Sequence, residues 1–206
     1  MYSLIRVLLL FLFLGIMLLL VTRVRRGKIN LSRQKFNLIV LTFFAIYLII
    51  GCVPVENAFV TFSSAESACN YVYGGEVLTV TEGEASACVV YRPSNADSSV
   101  FFAKKQDNGY KIYSLVGFKK IADHSFDPSV GVYHLKQVDE SYVIIIDIID
   151  KDLVLNVRDN QLNEFTVWES DHSLLKDQKM VIISAFVDYT PDYCLYVNDD
   201  LIVFDN

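Results

Sequence analysis

Hydrophobic and polar positions divide this chain into two zones with different periods. Up to Val53 the apolar residues run almost unbroken. Leu4–Thr22 is interrupted only by Arg6, and Phe36–Val53, FNLIVLTFFAIYLIIGCV, carries no charge. A helix rises about 1.5 Å per residue and a bilayer's hydrocarbon is about 30 Å thick, so about 20 such residues suffice to cross it. The pattern predicts two transmembrane helices within residues 1–53. Pro54 ends the second, because proline removes a backbone donor and clashes with the preceding turn.

Beyond Pro54 the pattern first reads as extended chain, PVENAFVTF, with Phe59 and Phe62 placed at the membrane interface. A short helix follows in SSAESACNYV. Ser63 and Glu66 have the spacing of a capping box, Ala65, Ala68, Cys69 and Val72 share one face, and Gly74-Gly75 stops it. From Glu76 the period drops to two. Strands are expected at 76–81, 86–92, 99–105 and 110–116, an antiparallel meander over residues 76–122. Its last turn, Asp107-Asn108-Gly109, contains the Asn-Gly pair that suits a type I′ hairpin. GFKKIADHSFDPS, 117–129, reads as a connector between subdomains. A second series follows at 130–138, 142–149, 153–158, 164–168, 179–188, 193–197 and 201–204, and predicts a sandwich-like domain over 128–206. Within it YVIIIDII, Tyr142–Ile149, is so continuously apolar and β-branched that it belongs at the centre of a sheet, buried on both faces. Trp168, the only tryptophan, is expected to pack in this core.

Charge orients the arrangement. Arg23–Lys35, RVRRGKINLSRQK, holds six bases and no acid, and short basic loops stay in the cytoplasm. The N-terminus and the C-terminal domain then lie outside. Residues 54–206 contain eleven bases and twenty-four acids, a formal charge of −13. Such a domain lacks the Lys/Arg stripes that nucleic-acid backbones require and is repelled by anionic lipid. Two other anchors compete with the hairpin. A cleavable signal over residues 1–22 would need a small-residue cleavage site, and a basic flank stands there instead. Ile49-Ile50-Gly51-Cys52 resembles the bacterial lipobox, with Cys52 as the lipidated residue, although it follows a complete apolar segment rather than opening the chain.

Pro54–Gly75, PVENAFVTFSSAESACNYVYGG, looks like the juxtamembrane segment of uncharacterised membrane-anchored proteins of Gram-positive bacteria. They share this layout of apolar anchor, juxtamembrane segment and small β-rich domain. The resemblance implies a bacterial surface location and carries no functional residue with it.

Candidate chemistry is sparse. Cys69 and Cys88 are neighbours in the expected fold and form a disulfide candidate; the alternative is a pair of buried thiols, with Cys194 left over in either case. Asp147, Asp150 and Asp152 border one turn and are candidate calcium ligands, against the alternative of solvated turn acids. Asp188, Asp192, Asp199 and Asp200 lie near other loops. The three histidines, His124, His134 and His172, sit in no zinc spacing, and neither a Gly-x-Ser-x-Gly elbow nor a phosphate-binding glycine loop occurs. No cofactor is implied. The expected function is a non-catalytic surface binding or accessory module with a protein or glycan partner. The alternatives are a cell-envelope hydrolase using carboxylates of the acidic turns and a lipoprotein held at Cys52.

Overall fold

Helix-forming, strand-forming and turn residues fall into order along the chain much as the pattern requires. The structure, a computed structural model, describes residues 2–27, 32–52, 54–93, 98–114, 117–124, 128–171 and 177–204; the side chains of residues 2–6, 33 and 49–52 are left aside. The chain divides into two units, Met1–Val60 and Thr61–Asn206.

The first unit contains two helices, α1 (Tyr2–Arg25) and α2 (Arg33–Cys52). Phe13 of α1 meets Phe43 of α2 edge-on, with ring centroids 5.4 Å apart. Thr22 and Thr42 donate their hydroxyls to the carbonyls of Leu18 and Leu38, four residues back, which satisfies them without solvent. Apolar residues point outward all round, as on a helix bathed in lipid. Among the described residues one helical segment, Val7–Arg25, is long and apolar enough to cross a membrane. The corresponding part of α2, Gln34–Leu48, is shorter, so of the two expected spans one meets the criterion of length and composition. Pro54 follows α2 as expected, but the chain then forms a 3-10 turn over Val55–Ala58 instead of an extended segment.

Near the start of the second unit, Phe62 is buried against Tyr71 and not at an interface. Helix α3 (Ala65–Val72) has its capping box one residue later than expected. Ser64 and Ser67 exchange side-chain and backbone hydrogen bonds, each 3.1 Å. A serine at the third position replaces the glutamate, and this register buries Ala65, Ala68 and Cys69 together.

Strands β1 (Glu76–Glu82), β2 (Ser86–Arg92), β3 (Ser99–Gln106) and β4 (Gly109–Ile112) form the expected antiparallel meander, sheet order β1-β2-β3-β4. The β3–β4 turn differs in detail. Gln106 pairs with Gly109, so Asp107 and Asn108 are the turn residues and Gly109 opens the strand at φ +130°. The reason is Phe62, whose backbone pairs with Tyr110 through bonds of 2.9 and 2.8 Å; a Cβ on Gly109 would run into the Phe62 carbonyl.

A five-stranded antiparallel sheet follows, order β5-β6-β7-β10-β9: β5 (Phe118–His124), β6 (Ser129–Leu135), β7 (Glu140–Asp150), β9 (Thr166–Asp171) and β10 (Gln178–Val187). A small sheet of β8 (Val157–Asp159), β11 (Leu195–Val197) and β12 (Asp200–Ile202) has the order β12-β11-β8. The expected connector at 117–129 is thus largely a strand, β5. Its exposed Lys119 and Lys120 hid the alternation, and lysine is how sheet edges are kept from pairing with other chains.

Side-chain alternation explains the layering. On β7 and β10, Val143, Ile145, Ile149, Val181, Ile183 and Ala185 face one core, which Leu195, Val197 and Ile202 of the small sheet complete. Tyr142, Ile144 and Ile182 face the other core, built with Leu78, Cys88, Val90 and Phe102 of the meander. The five-stranded sheet is therefore the middle layer of three, and YVIIIDII lies at its centre, as its composition requires. The meander and the C-terminal sheets share a core. Trp168 packs half-buried on the meander side, with the Arg92 guanidinium 5.6 Å from its ring centroid.

A buried polar latch joins meander and middle sheet. Glu140, 5% exposed, accepts hydrogen bonds from the Ala85 amide at 2.5 Å, from the Ser86 hydroxyl and from the Tyr142 hydroxyl at 3.4 Å. Thr81 and Ser184 pair their hydroxyls at 2.6 Å nearby. Gly83 has no Cβ because one would strike Tyr142 and Glu140. Replacing Glu140 by alanine removes the acceptor of the Ala85 amide and leaves the Ser86 and Tyr142 hydroxyls, 2.8 Å apart, only each other, so Glu140→Ala should cost about 2–4 kcal/mol of unfolding free energy. The same change at exposed Glu84 should stay within about 0.5 kcal/mol. Urea unfolding of the two variants, followed by near-UV circular dichroism, checks this.

Candidate binding cleft

The long strands of the middle sheet outrun the three-residue strands that cover them, and a cleft of about 540 Å³ opens where the cover stops. Such a volume is ordinary for a ligand site. Its walls come from Asp147 and Ile149 of β7, His124 at the end of β5, Pro128 before β6, the loop residues Leu153–Leu155, and the β11–β12 hairpin. That hairpin turns through Asn198 and Asp199, both at positive φ (52° and 70°), between the paired Val197 and Asp200. Positive φ at both turn positions matches the right-handed twist of the flanking strands, and Asn and Asp accept it most readily among non-glycine residues. The loop after β7 is tied to the hairpin: the Asn156 amide donates to Asn198 Oδ1 at 3.0 Å, and the Asn198 amide donates to the Asn156 carbonyl at 2.8 Å. Arg158 braces the turn from outside, 3.1 Å from Asp199 and stacked 4.8 Å over Tyr196. His124 Nδ1 lies 3.0 Å from the Val203 carbonyl, so that nitrogen carries the proton.

The cleft's floor is apolar and its rim is wet. Leu153, Val154 and Leu201 remain 55%, 77% and 51% exposed, an unusual outlay of branched side chains on two segments that line one cleft. Asp147 and Asp200 supply the charge, and among the described residues the lining contains no Lys or Arg. The surrounding sequence has the same sign. Residues 137–206 carry four bases and fifteen acids, formally −11, whereas residues 54–136 carry seven and nine, formally −2.

The structure does not bring the three calcium candidates together. Asp147 and Asp150 are three apart on one strand, so they face opposite sides of the middle sheet, and Asp152 lies in the turn beyond. Among the described residues no three His, Cys, Asp or Glu side chains converge as a metal site. The other acids mostly build loops. Buried Asp159 accepts from the Gln161 and Asn163 amides at 3.1 and 3.0 Å, from Asn163 Nδ2 at 2.7 Å and from the Tyr193 hydroxyl at 3.2 Å. Burial, and then the Asp159 charge, push that hydroxyl far above the usual tyrosine range. Asp192 takes the Thr190 hydroxyl at 2.6 Å, which holds its carboxyl below the usual range.

One serine–histidine–aspartate grouping was not legible in the sequence. His134 and Ser141 face each other across β6 and β7, with Nδ1 3.2 Å from the hydroxyl, and Nε2 is 3.7 Å from Asp139. Ser141 is 5% exposed and Asp139 is almost fully in solvent, the reverse of a triad, which needs an accessible nucleophile and a buried, orienting acid. His172 lies outside the described residues.

Cys69 and Cys88 are both buried and both free. They are electrostatic neighbours, as the expected fold required, but as thiols. Burial, followed by nearby Glu66, pushes Cys69 up to about 12, and burial raises Cys88 further. Cys194 is partly exposed, its thiol 3.5 Å from the Asp192 carbonyl. Cys52 closes α2, and its side chain lies outside the described residues. No family model matches this chain, and no curated protein or solved structure matches it either.

Thiol titration with a chromogenic disulfide at pH 8 should separate these groups in a Cys52→Ser background. One thiol, Cys194, reacts at once, and two more react only after denaturant is added. Two missing thiols in denaturant without reductant would mean that Cys69 and Cys88 are joined.

Proposed function

We infer that this chain is a membrane-anchored binding module whose acidic β-rich domain faces the extracytoplasmic side and holds a ligand in the cleft beside the β11–β12 hairpin. The observation that carries the reading is the open apolar cleft rimmed by exposed Leu153, Val154 and Leu201. Soluble surfaces rarely spend contiguous branched side chains on water, and such patches mark interaction sites. The apolar helix and the basic loop Arg23–Lys35 support an anchor with its N-terminus outside and that loop in the cytoplasm. The second span, over α2, completes the hairpin and returns the chain to the outer face. The resemblance of Pro54–Gly75 to surface proteins of Gram-positive bacteria agrees with that side. A hydrolase reading has less support, because the acids of the turns are spent on loop hydrogen bonds or lie apart.

Intact cells test both parts. Cys194 in the Cys52→Ser background should label with a membrane-impermeant maleimide before lysis, and labelling should vanish in Cys194→Ser. A photoreactive benzoylphenylalanine in place of Val154 should give a discrete crosslinked product that the same group at Glu84 does not. Labelling only after lysis would reverse the topology, and equal crosslinking from both positions would remove the cleft.

A further inference from the structure

The other face of the middle sheet has an opening of its own. Beside the start of β3, a pocket of about 230 Å³ lies between the meander and the sheet. Its sheet side consists of alternate residues on neighbouring strands: Lys120 of β5, Ser129, Gly131 and Tyr133 of β6, and Ile144 and Ile146 of β7. The register puts them all on the meander side. Lys120 and Tyr142 flank Tyr133, Gly131 pairs with Ile144, and Ser129 pairs with Ile146. Val100 and Ser98 close the pocket from the meander.

A β-bulge shapes the rim. Lys120 opposes Tyr133 and Ala122 opposes Val132, which leaves Ile121 as an extra residue. Ile121 and Ala122 both pack into the core on the far side of the sheet. In a regular strand Lys120 and Asp123, three apart, would face opposite ways. The extra residue turns Asp123 to the side of Lys120, opposite Gly131, and the two side chains meet at 2.5 Å. Gly131 leaves the space this needs, since a Cβ there would lie 2.9 Å from Lys120 Cε and 3.0 Å from the Tyr133 ring. The rim thus holds an ammonium and a carboxylate that cancel. Ser98, Ser129 and Tyr133 add hydroxyls, which both donate and accept. Burial holds the Tyr133 hydroxyl above the usual tyrosine range, so it stays a donor.

We propose that this pocket binds one ring of an uncharged sugar, its C–H face on Ile144 and Ile146 and its hydroxyls at the rim. A sugar ring has the same division as the pocket, with C–H groups on its faces and hydroxyls around its edge. An ionised ligand is attracted by one member of the Lys120–Asp123 pair and repelled by the other, so it gains nothing from the pair. The volume falls below the roughly 300–1,000 Å³ of sites for drug-sized ligands, which suits a single ring. This pocket shares no lining residue with the cleft beside the β11–β12 hairpin, so it is a second site.

Saturation-transfer NMR on the full chain in phosphatidylcholine nanodiscs, at mildly acidic pH, tests this. The probes are the methyl glycosides of glucose, galactose and mannose, with the uronate and the 2-amino sugar of each ring. At least one uncharged glycoside should bind, and its two ionised counterparts should bind several-fold more weakly. Lys120→Met keeps the stem over Gly131 and removes the charge, so the amino sugar should gain several-fold relative to the uncharged glycoside. Asp123→Asn should do the same for the uronate. Ser129→Phe, at an exposed position on the rim, should abolish binding while near-UV circular dichroism stays unchanged. Binding by none of the three glycosides would overturn the proposal. So would an order of affinities that neither charge variant alters, or full binding in Ser129→Phe. Asp200→Asn, in the other cleft, should leave sugar binding as it is; its loss there would move the sugar to that cleft and overturn the second site. Crosslinking from Val154 tests the first cleft separately, whichever way the sugar result falls.

Discussion

Everything in the folded unit depends on one strand having no solvent side. Tyr142 to Ile145 are buried on alternate faces of β7, so each residue commits to a different core. A strand this apolar must be covered twice. The meander, with α3 packed against it, covers one side with its own strands, and the small β8–β11–β12 sheet covers the other. The chain therefore makes three layers where a sandwich needs only two. Losing either cover would expose a row of isoleucines and valines, each worth about 1.5–3 kcal/mol when fully buried. Glu140 and the Thr81–Ser184 pair add direction to that burial, because hydrogen bonds between sheets fix a register that apolar contact leaves free.

Most of the strand pattern was legible because alternation is a local signal. The meander strands β1, β2 and β3 fall within a residue or so of where the hydrophobic period puts them, and the double burial of β7 follows from YVIIIDII alone. What escaped was decided by contacts at a distance. Gly109 serves the Phe62 bridge and not the turn beside it, and nothing local marks that. Two consecutive serines, Ser63 and Ser64, can cap α3, and the core-facing alanines choose Ser64. β5 has an edge strand's lysines, which look like a loop. The shared core of the meander and the later sheets was not visible either, because it joins residues such as Leu78 and Ile182 that lie far apart in sequence.

The site was less legible than the fold. Spacing in sequence suggested that Asp147 and Asp150 act together, but a strand sends residues three apart to opposite faces. The cleft arises from a mismatch of strand lengths: long β7 and β10 run beneath three-residue strands, and the uncovered end keeps its apolar character. No motif encodes that mismatch. The acidic bias of residues 137–206 was in the sequence throughout, but which of those acids reach the opening, Asp147 and Asp200, was not.

The most direct test of the double-covered strand is hydrogen exchange read by mass spectrometry across a urea series, with the full chain in nanodiscs. Peptides from the meander, 76–112, and from the small sheet, 157–159 and 195–202, should lose protection in one shared transition, with β7 and β10 the slowest to exchange. Two transitions separated in urea, with β7 following only one of them, would show two independent cores and contradict the three-layer account.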